Sequence, residues 1–173
     1  PVIGHNDHIG WGFTNVMTDD MDFYIETLNE DKTQYMLDGA WKDLKIEQEV
    51  VSLKSGDKRT ITIRSTHRGP IVSDIHPDAK GQSKAISFKW TEFDAFDETT
   101  ALFMLAKATN WDEFSEASKL FGAPGQNWTY ADKNGNIGWR PNSKIPIRLG
   151  AEKLIPFDGS TSKHDWTGYV PFD

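Results

Sequence analysis

NWTYADKNGNIGWR, residues 127–140, is the stretch that decides the fold. Two segments with strand-like composition, 127–132 and 136–140, flank Lys133-Asn134-Gly135. An Asn-Gly pair between two such segments is the strongest short-range signal for a β-hairpin, because both residues tolerate the positive φ of the tight turn. The sequence therefore predicts a hairpin here.

Two helices are predicted immediately before this hairpin. Apolar residues recur at helical spacing over about 98–108 in a run without Gly or Pro. A second helix begins at Asn110, whose side chain can accept a hydrogen bond from the backbone N–H of Glu113, and it ends before Gly122 and Pro124. The predicted buried positions are Ala101, Leu102, Leu105 and Ala106 in the first helix and Phe114, Ala117 and Phe121 in the second.

Strands are predicted over most of the chain before the helices. A hairpin is expected within 42–66, with Gly56 in the turn, because alternating apolar residues lie on both sides of Ser55-Gly56-Asp57. Residues 30–92 therefore form a small β-rich subdomain, and the fold class is α+β. The other predicted strands lie at 22–28, 71–72 and 84–90, with a polar loop at 77–83.

Composition excludes several classes of function. The chain has 173 residues, of which 37% are hydrophobic and 26% are charged, as in globular proteins. Its net charge is -7 and no run of Lys or Arg forms a phosphate-binding stripe, which argues against nucleic acid as a partner. Cysteine is absent, which excludes disulfides, thiolate catalysis and Cys-ligated zinc. No run approaches the roughly 20 apolar residues of a membrane span, and no targeting signal is visible.

The residues alone give no complete catalytic set. The sequence has no Gly-rich phosphate loop, no His-x-x-x-His zinc pattern and no Ser nucleophile elbow. His5 and His8 lie three residues apart, but the neighbouring glycines argue against a helix that would align them, and no third ligand accompanies them. We expect His5 to be a buried, structural hydrogen-bonding residue rather than a metal ligand.

Three segments, taken in order, resemble signatures of the penicillin acylase family of N-terminal-nucleophile hydrolases. They are GHNDHIGWGFTN at 4–15, QNWTYADKNGNIG at 126–138 and WTGYVPF at 166–172. The resemblance implies an α+β chain that forms part of an αββα core. Residues 1–29 and 93–173 would supply a partial hydrolase core, and 30–92 an inserted β-rich knob.

The family's nucleophile does not match any residue of this chain. In the family a precursor cleaves itself to expose a Ser whose own α-amino group acts as the base. Residue 1 here is Pro, so we expect the Ser to lie upstream and the isolated chain to be inactive.

The resemblance also implies a parent protein that is periplasmic or secreted and that needs no organic cofactor. Its expected protein partners are a missing α subunit and the N-terminal part of the β subunit. Its small-molecule substrate would be an amide with a hydrophobic acyl group, such as a β-lactam antibiotic, an acyl-homoserine lactone or a peptide-like amide.

The resemblance assigns three residues to catalysis. The side-chain amide of Asn127 and the backbone N–H of Asn15 would form the oxyanion hole. Without the motif, Asn127 is more simply a turn or strand-edge residue that caps local backbone. Arg148 matches an arginine that organises the site through hydrogen bonds, and the alternative is a surface Arg with a solvated head.

The resemblance also indicates a structural calcium ion. Asp19, Met21 and Asp22 match calcium-binding positions, with two carboxylates and a backbone carbonyl as ligands. Three ligands are too few for calcium, and Asp19-Asp20 is equally an acidic turn without metal.

Trp11, Trp128 and Trp139 either line an acyl pocket or belong to the core. His67-Arg68-Gly69-Pro70 departs from the family pattern of His directly before Gly-Pro, and it receives no role.

A non-catalytic binding or structural module with the same fold is the alternative to an enzyme fragment. Its aromatic residues would then serve as a platform for a ligand. A Ser, Thr or Cys directly after a processing site upstream of Pro1 would favour the enzyme, and its absence would favour the binding module.

Overall fold

The structure is a computed structural model that describes residues 2–75, 84–94, 97–149 and 155–172. It is an α+β fold, as predicted. The chain forms two compact units. The first unit comprises Pro1–Asp20, Thr91–Ile147 and Gly168–Asp173, and the second comprises Met21–Trp90 and Arg148–Thr167. The predicted loop at 77–83 and Pro1 lie outside the described residues.

The described residues form short 3-10 helices, α-helices and β-strands. Short 3-10 helices lie at Val72–Asp74, Thr91–Phe93 and Ser162–His164. The α-helices are α1 (Glu98–Lys107) and α2 (Trp111–Lys119). The strands are β1 (Gly4–His5), β2 (Ile9–Asn15), β3 (Met21–Glu26), β4 (Gln34–Leu37), β5 (Ala40–Asp43), β6 (Lys45–Ser52), β7 (Lys58–Ser65), β8 (Ala85–Trp90), β9 (Gln126–Asp132), β10 (Ile137–Asn142), β11 (Pro146–Arg148), β12 (Phe157–Asp158) and β13 (Trp166–Tyr169).

The first unit contains an antiparallel sheet with strand order β1-β2-β9-β10. The hairpin predicted around Asn134-Gly135 is confirmed, because β9 and β10 pair on either side of it. Gly135 has φ +88°, as the turn requires. The carboxylate of Asp132 holds the turn, since its Oδ1 accepts from the backbone N–H groups of Asn134 at 2.9 Å and Asn136 at 3.0 Å.

The two predicted helices are confirmed and cover one face of this sheet. Asn110 caps α2 as expected, with its Oδ1 accepting from the backbone N–H of Glu113 at 3.0 Å. Trp11 and Trp128 belong to the core that the helices cover, which favours the simpler of the two interpretations of these residues. The buried core residues are Ile9, Trp11, Ala101, Leu105, Ala108, Phe114, Ala117, Phe121, Trp128 and Tyr130.

The expectation for His5 is wrong, because its side chain is exposed. The neighbouring residue, Asn6, has the structural role instead. Its Nδ2 donates to the backbone oxygens of Ala106 at 3.2 Å and Ala108 at 2.8 Å, and its Oδ1 accepts from the backbone N–H of Ile9 at 2.9 Å. An amide is both donor and acceptor, so Asn6 can join the end of α1 to the start of β2.

The second unit contains a sheet of order β12-β3-β8 and the hairpins β4–β5 and β6–β7. The hairpin predicted within 42–66 is β6–β7, and Gly56 has φ +93° in its turn. The strands predicted at 22–28 and 84–90 correspond to β3 and β8.

The prediction of a strand at 71–72 is wrong, because the pairing there is limited to an isolated bridge between Ile71 and Ser87. The chain turns there into a 3-10 helix, and the Asp74 carboxylate accepts from Arg64 Nε at 2.9 Å.

A buried charge network lies inside the second unit and is centred on Arg68. Its guanidinium donates to Glu26 Oε1 at 3.1 Å, to Asp165 Oδ1 at 2.6 Å and to the backbone oxygen of Gly159 at 2.9 Å. Burial raises the pKa of Glu26, although a hydrogen bond from Ser87 and the charge of Arg68 oppose that effect. Burial also acts to raise the pKa of Asp165, but hydrogen bonds from His67 and Arg68 outweigh it and hold the value below the ordinary one.

In the described part of the chain, no helix combines the length and the apolar character that crossing a membrane requires.

Candidate functional site

Asn15 and Asn127, the two residues predicted to stabilise an oxyanion, lie side by side in the first unit. Asn15 is the last residue of β2, and Asn127 lies near the start of the adjacent strand β9. The antiparallel register pairs Asn15 with Gln126 and Thr14 with Asn127. Asn127 Nδ2 donates to the backbone oxygen of Asn15 at 3.2 Å. Residues more than a hundred positions apart are therefore brought together by the pairing of β2 with β9.

The amide of Asn127 is held at both of its ends. Its Oδ1 accepts from the indole Nε1–H of Trp139 at 3.0 Å, and its Nδ2 donates to Asn15. The side chain of Asn15 is held in turn by Gln126, whose Nε2 donates to Asn15 Oδ1 at 2.9 Å. The amide nitrogen carries two N–H groups, and the second has no acceptor among the described residues. This N–H is available to an oxygen atom of a ligand.

Arg148 lies in the second unit, where it forms an ion pair with Asp22. The Arg148 side chain is 8% exposed and its Nε donates to Asp22 Oδ2 at 2.7 Å. Trp166 Nε1 donates to the same oxygen at 2.5 Å, and the guanidinium carbon of Arg148 lies 5.6 Å from the centroid of the Trp166 ring. The alternative of a surface Arg with a solvated head is therefore wrong. The pair with Asp22 fixes the orientation of the guanidinium.

The three residues predicted to bind calcium differ in burial and in the unit to which they belong. Asp19 is an exposed loop residue of the first unit, whereas Met21 and Asp22 open β3 in the second. Asp22 is buried, and its Oδ2 accepts hydrogen bonds from both Arg148 and Trp166. In the described ranges no group of three or more His, Cys, Asp or Glu residues could hold a metal ion. Of the three residues, Asp22 is the one that pairs with Arg148.

Trp139 is the site residue whose contact the sequence did not reveal. It was a candidate for an acyl pocket or the core, but its side chain is 61% exposed and bonds to Asn127. The hairpin register contained a partial signal. An Asn-Gly turn at 134–135 places Trp139 opposite Thr129, and side chains alternate along a strand, so Trp139 and Asn127 share a face. The hydrogen bond itself depends on side-chain conformations that the register does not determine.

Comparison with known proteins gives one family throughout. The penicillin amidase family model matches residues 1–173. Penicillin G acylase of Escherichia coli is 34% identical over 175 residues, which cover 99% of this chain and 20% of that protein. Acyl-homoserine lactone acylase QuiP of Pseudomonas fluorescens (strain Pf0-1) is 26% identical over 169 residues, 96% of this chain and 21% of that protein.

Solved structures give the same result. The thermostable penicillin G acylase from Alcaligenes faecalis superimposes with a TM-score of 0.83 and 32% sequence identity, over 99% of this chain and 31% of that chain. The chain thus spans about a fifth of the length of the curated relatives it matches and about a third of the solved one.

Proposed function

We propose, because the chain belongs to the penicillin amidase family, that its parent is an amidohydrolase and that this chain supplies part of its oxyanion-stabilising site. The observation that carries the proposal is the amide of Asn127. Hydrogen bonds to Trp139 and Asn15 hold it, and one N–H remains for a ligand. A donor that is oriented before the reaction stabilises developing charge without reorganising.

The nucleophile belongs to the part of the parent outside this chain. We propose an N-terminal Ser whose α-amino group accepts the hydroxyl proton, so that Oγ bonds to the carbonyl carbon of the substrate. The negative charge then gathers on the carbonyl oxygen, where Asn127 Nδ2–H and the backbone N–H of Asn15 donate to it. The C–N bond breaks, the amine leaves with the proton, and water hydrolyses the ester. This chain by itself would then be inactive.

Arg148 has a supporting part in this proposal. Its ion pair with the buried Asp22 and its position beside Trp166 give it a fixed direction. A fixed guanidinium suits the orientation of a carbonyl or amide group near a nucleophile, because its donors lie in one plane. Calcium has no step in the mechanism. If the parent binds the ion at Asp19, Met21 and Asp22, the other ligands come from the rest of the parent, and Asp22 would offer Oδ1, because Arg148 and Trp166 donate to its Oδ2.

The sheet of the first unit supports the further proposal of an αββα core. Helices α1 and α2 cover one face of this sheet. Ile137 and Trp139 are 87% and 61% exposed, and the register places them on the face away from Trp128 and Tyr130. A second sheet from the α subunit and the N-terminal part of the β subunit would cover this face. Residues 30–92 would be the inserted knob, and the parent would be periplasmic or secreted.

The proposed substrate is an amide with a hydrophobic acyl group. Two relatives are named for penicillin G and for acyl-homoserine lactones. Both types of compound carry an acyl group on an amide nitrogen, and we propose the same linkage for this parent. A non-catalytic module remains the alternative, and the absence of a terminal Ser, Thr or Cys in the parent would favour it.

Asn127→Ala in the full-length parent tests the proposal. The amide contacts the oxygen as it becomes an oxyanion, so the acylation rate should fall by roughly 10² to 10³, with little change in KM. The rate is measured on processed enzyme separated from precursor, because self-cleavage draws on the same chemistry. Asn134→Ala, which removes an exposed amide from the same hairpin, should leave the rate unchanged. A processed Asn127→Ala enzyme with near-normal acylation would remove Asn127 from the mechanism.

A further inference from the structure

We propose that Trp139 is a positioning residue, which acts by fixing the orientation of the Asn127 amide. The inference rests on the proposed function, because it gives Trp139 a role only through Asn127. It concerns the indole N–H and not the apolar surface of the ring.

The hairpin places the two side chains within reach of each other. Trp139 lies opposite Thr129 in the β9–β10 register, and Asn127 is two residues before Thr129 on the same face. Such diagonal neighbours are about 7 to 8 Å apart at the backbone, which an indole ring can span. The resulting distance from Trp139 Nε1 to Asn127 Oδ1 is 3.0 Å. The turn at Asp132 keeps this register, because its carboxylate accepts from two backbone N–H groups.

The two partners of Asn127 together determine which way its amide faces. An indole N–H is a donor only, and a backbone carbonyl oxygen is an acceptor only. Trp139 therefore requires Oδ1 on its side, and the backbone oxygen of Asn15 requires Nδ2 on the other. A rotation of the amide by 180° would lose both bonds. It would also direct lone pairs instead of an N–H toward a developing oxyanion.

The role of Trp139 in orienting Asn127 must be separated from a role in packing. Trp139 is 61% exposed in this chain and is not part of the buried cluster that α1 and α2 form with the sheet, but the proposed second sheet would cover it in the parent. The substitution should therefore keep an aromatic ring on this face while it removes the N–H. The net contribution of a single hydrogen bond between neutral groups corresponds to roughly a 5-fold change in rate, so a moderate effect is expected.

The test is Trp139→Phe in the processed full-length parent. We expect the acylation rate to fall about 5- to 10-fold with KM nearly unchanged, because the substrate meets Asn127 fully only in the transition state. Trp41→Phe is the matched control, since Trp41 is 45% exposed and lies in the second unit. Its rate should equal that of the unmodified parent. An unchanged rate in Trp139→Phe would overturn the proposal.

A double-mutant cycle with Asn127→Ala shows whether Trp139 acts through Asn127. In the Asn127→Ala background, Trp139→Phe should cause no further loss, because the group that it positions is absent. A second 5- to 10-fold loss there would overturn the proposal. If Asn127→Ala alone keeps normal acylation, the proposed function fails, and this outcome is distinct from a normal rate in Trp139→Phe alone.

The substitution Trp139→benzothienylalanine covers the case in which Trp139→Phe does not mature. Sulfur replaces the N–H in this analogue while the shape of the ring system is kept. The same 5- to 10-fold loss is expected. An analogue enzyme with the acylation rate of the unmodified parent would show that the indole N–H has no part in the reaction.

Discussion

The two units of the chain use different kinds of polar side chain in their hydrogen-bond networks. The first unit relies on neutral amides. Asn6 bonds to backbone at the end of α1, Asn142 Nδ2 donates to the backbone oxygen of Ser118 at 2.6 Å, and the Asn127 amide is held between two partners. The second unit relies on charges, with Arg68 and Arg148 paired to buried carboxylates.

The difference has a physical consequence for each unit. A buried charge has a large desolvation cost, which a paired charge offsets, so removal of one partner leaves an uncompensated ion. A neutral amide has a smaller desolvation cost, and its removal leaves only its backbone partners without a hydrogen bond. We therefore expect the second unit to respond to single substitutions more strongly than the first. The amide of Asn127 also keeps an N–H that can donate to a ligand.

The largest effect is expected for Arg68→Met. The side chains of Arg68 and Glu26 are 2% and 0% exposed, so the substitution leaves the Glu26 carboxylate buried without its cation. The free energy of unfolding of the processed parent should fall by about 3 to 5 kcal/mol at neutral pH, measured by urea denaturation.

Arg64→Met is the control for that substitution. Arg64 pairs with Asp74, but their side chains are 17% and 30% exposed, so water can solvate the carboxylate that remains. We expect a loss of about 1 kcal/mol or less. Equal losses for the two variants would contradict the assignment of the Arg68 network as the charged core of the second unit.

A smaller effect is expected for Asn6→Ala in the first unit. The change leaves the backbone oxygens of Ala106 and Ala108 and the N–H of Ile9 without the amide. The free energy of unfolding should fall by about 1 to 3 kcal/mol in the same denaturation experiment. His5→Ala is the adjacent control, and because His5 is exposed it should change stability by less than about 0.5 kcal/mol. A larger loss from His5→Ala than from Asn6→Ala would reverse the roles assigned here.

The elements that the sequence predicted correctly depend on local chemistry. The turn at Asn134-Gly135 and the cap at Asn110 each involve residues within a few positions of one another. A turn residue or a cap acts on its own segment, so one sequence contains the whole signal. Asn15 and Asn127 were predicted from the family resemblance, and the structure shows only that the pairing of β2 with β9 makes them neighbours.

The contacts that the sequence did not predict join distant segments. Asn6 and Ala108 are 102 positions apart, and Arg68 and Asp165 are 97 apart. A single sequence has no information on which segments meet, so neither Asn6 nor Arg68 received a role. The ion pair of Arg148 with Asp22, 126 positions away, likewise could not be derived from spacing.

The smallest expected effect concerns acid and the turn of the β9–β10 hairpin. The side-chain amide of Asn136 donates to the Asp132 carboxylate and lowers its pKa below the ordinary value of 3.8, with further help from the backbone N–H of Asn136. A carboxyl group whose pKa is lowered in the folded state stabilises that state at pH values above its unfolded pKa. This contribution is lost as the pH falls through the folded pKa.

The variant Asp132→Asn lacks the titrating group. The difference in unfolding free energy between the parent and Asp132→Asn should therefore be constant at neutral pH and shrink below about pH 3.8. Urea denaturation from pH 7 to pH 3 measures it, with Asp7→Asn as an exposed control in the same unit. A difference that stays constant down to pH 3 would show that the carboxylate does not hold the turn that positions Trp139.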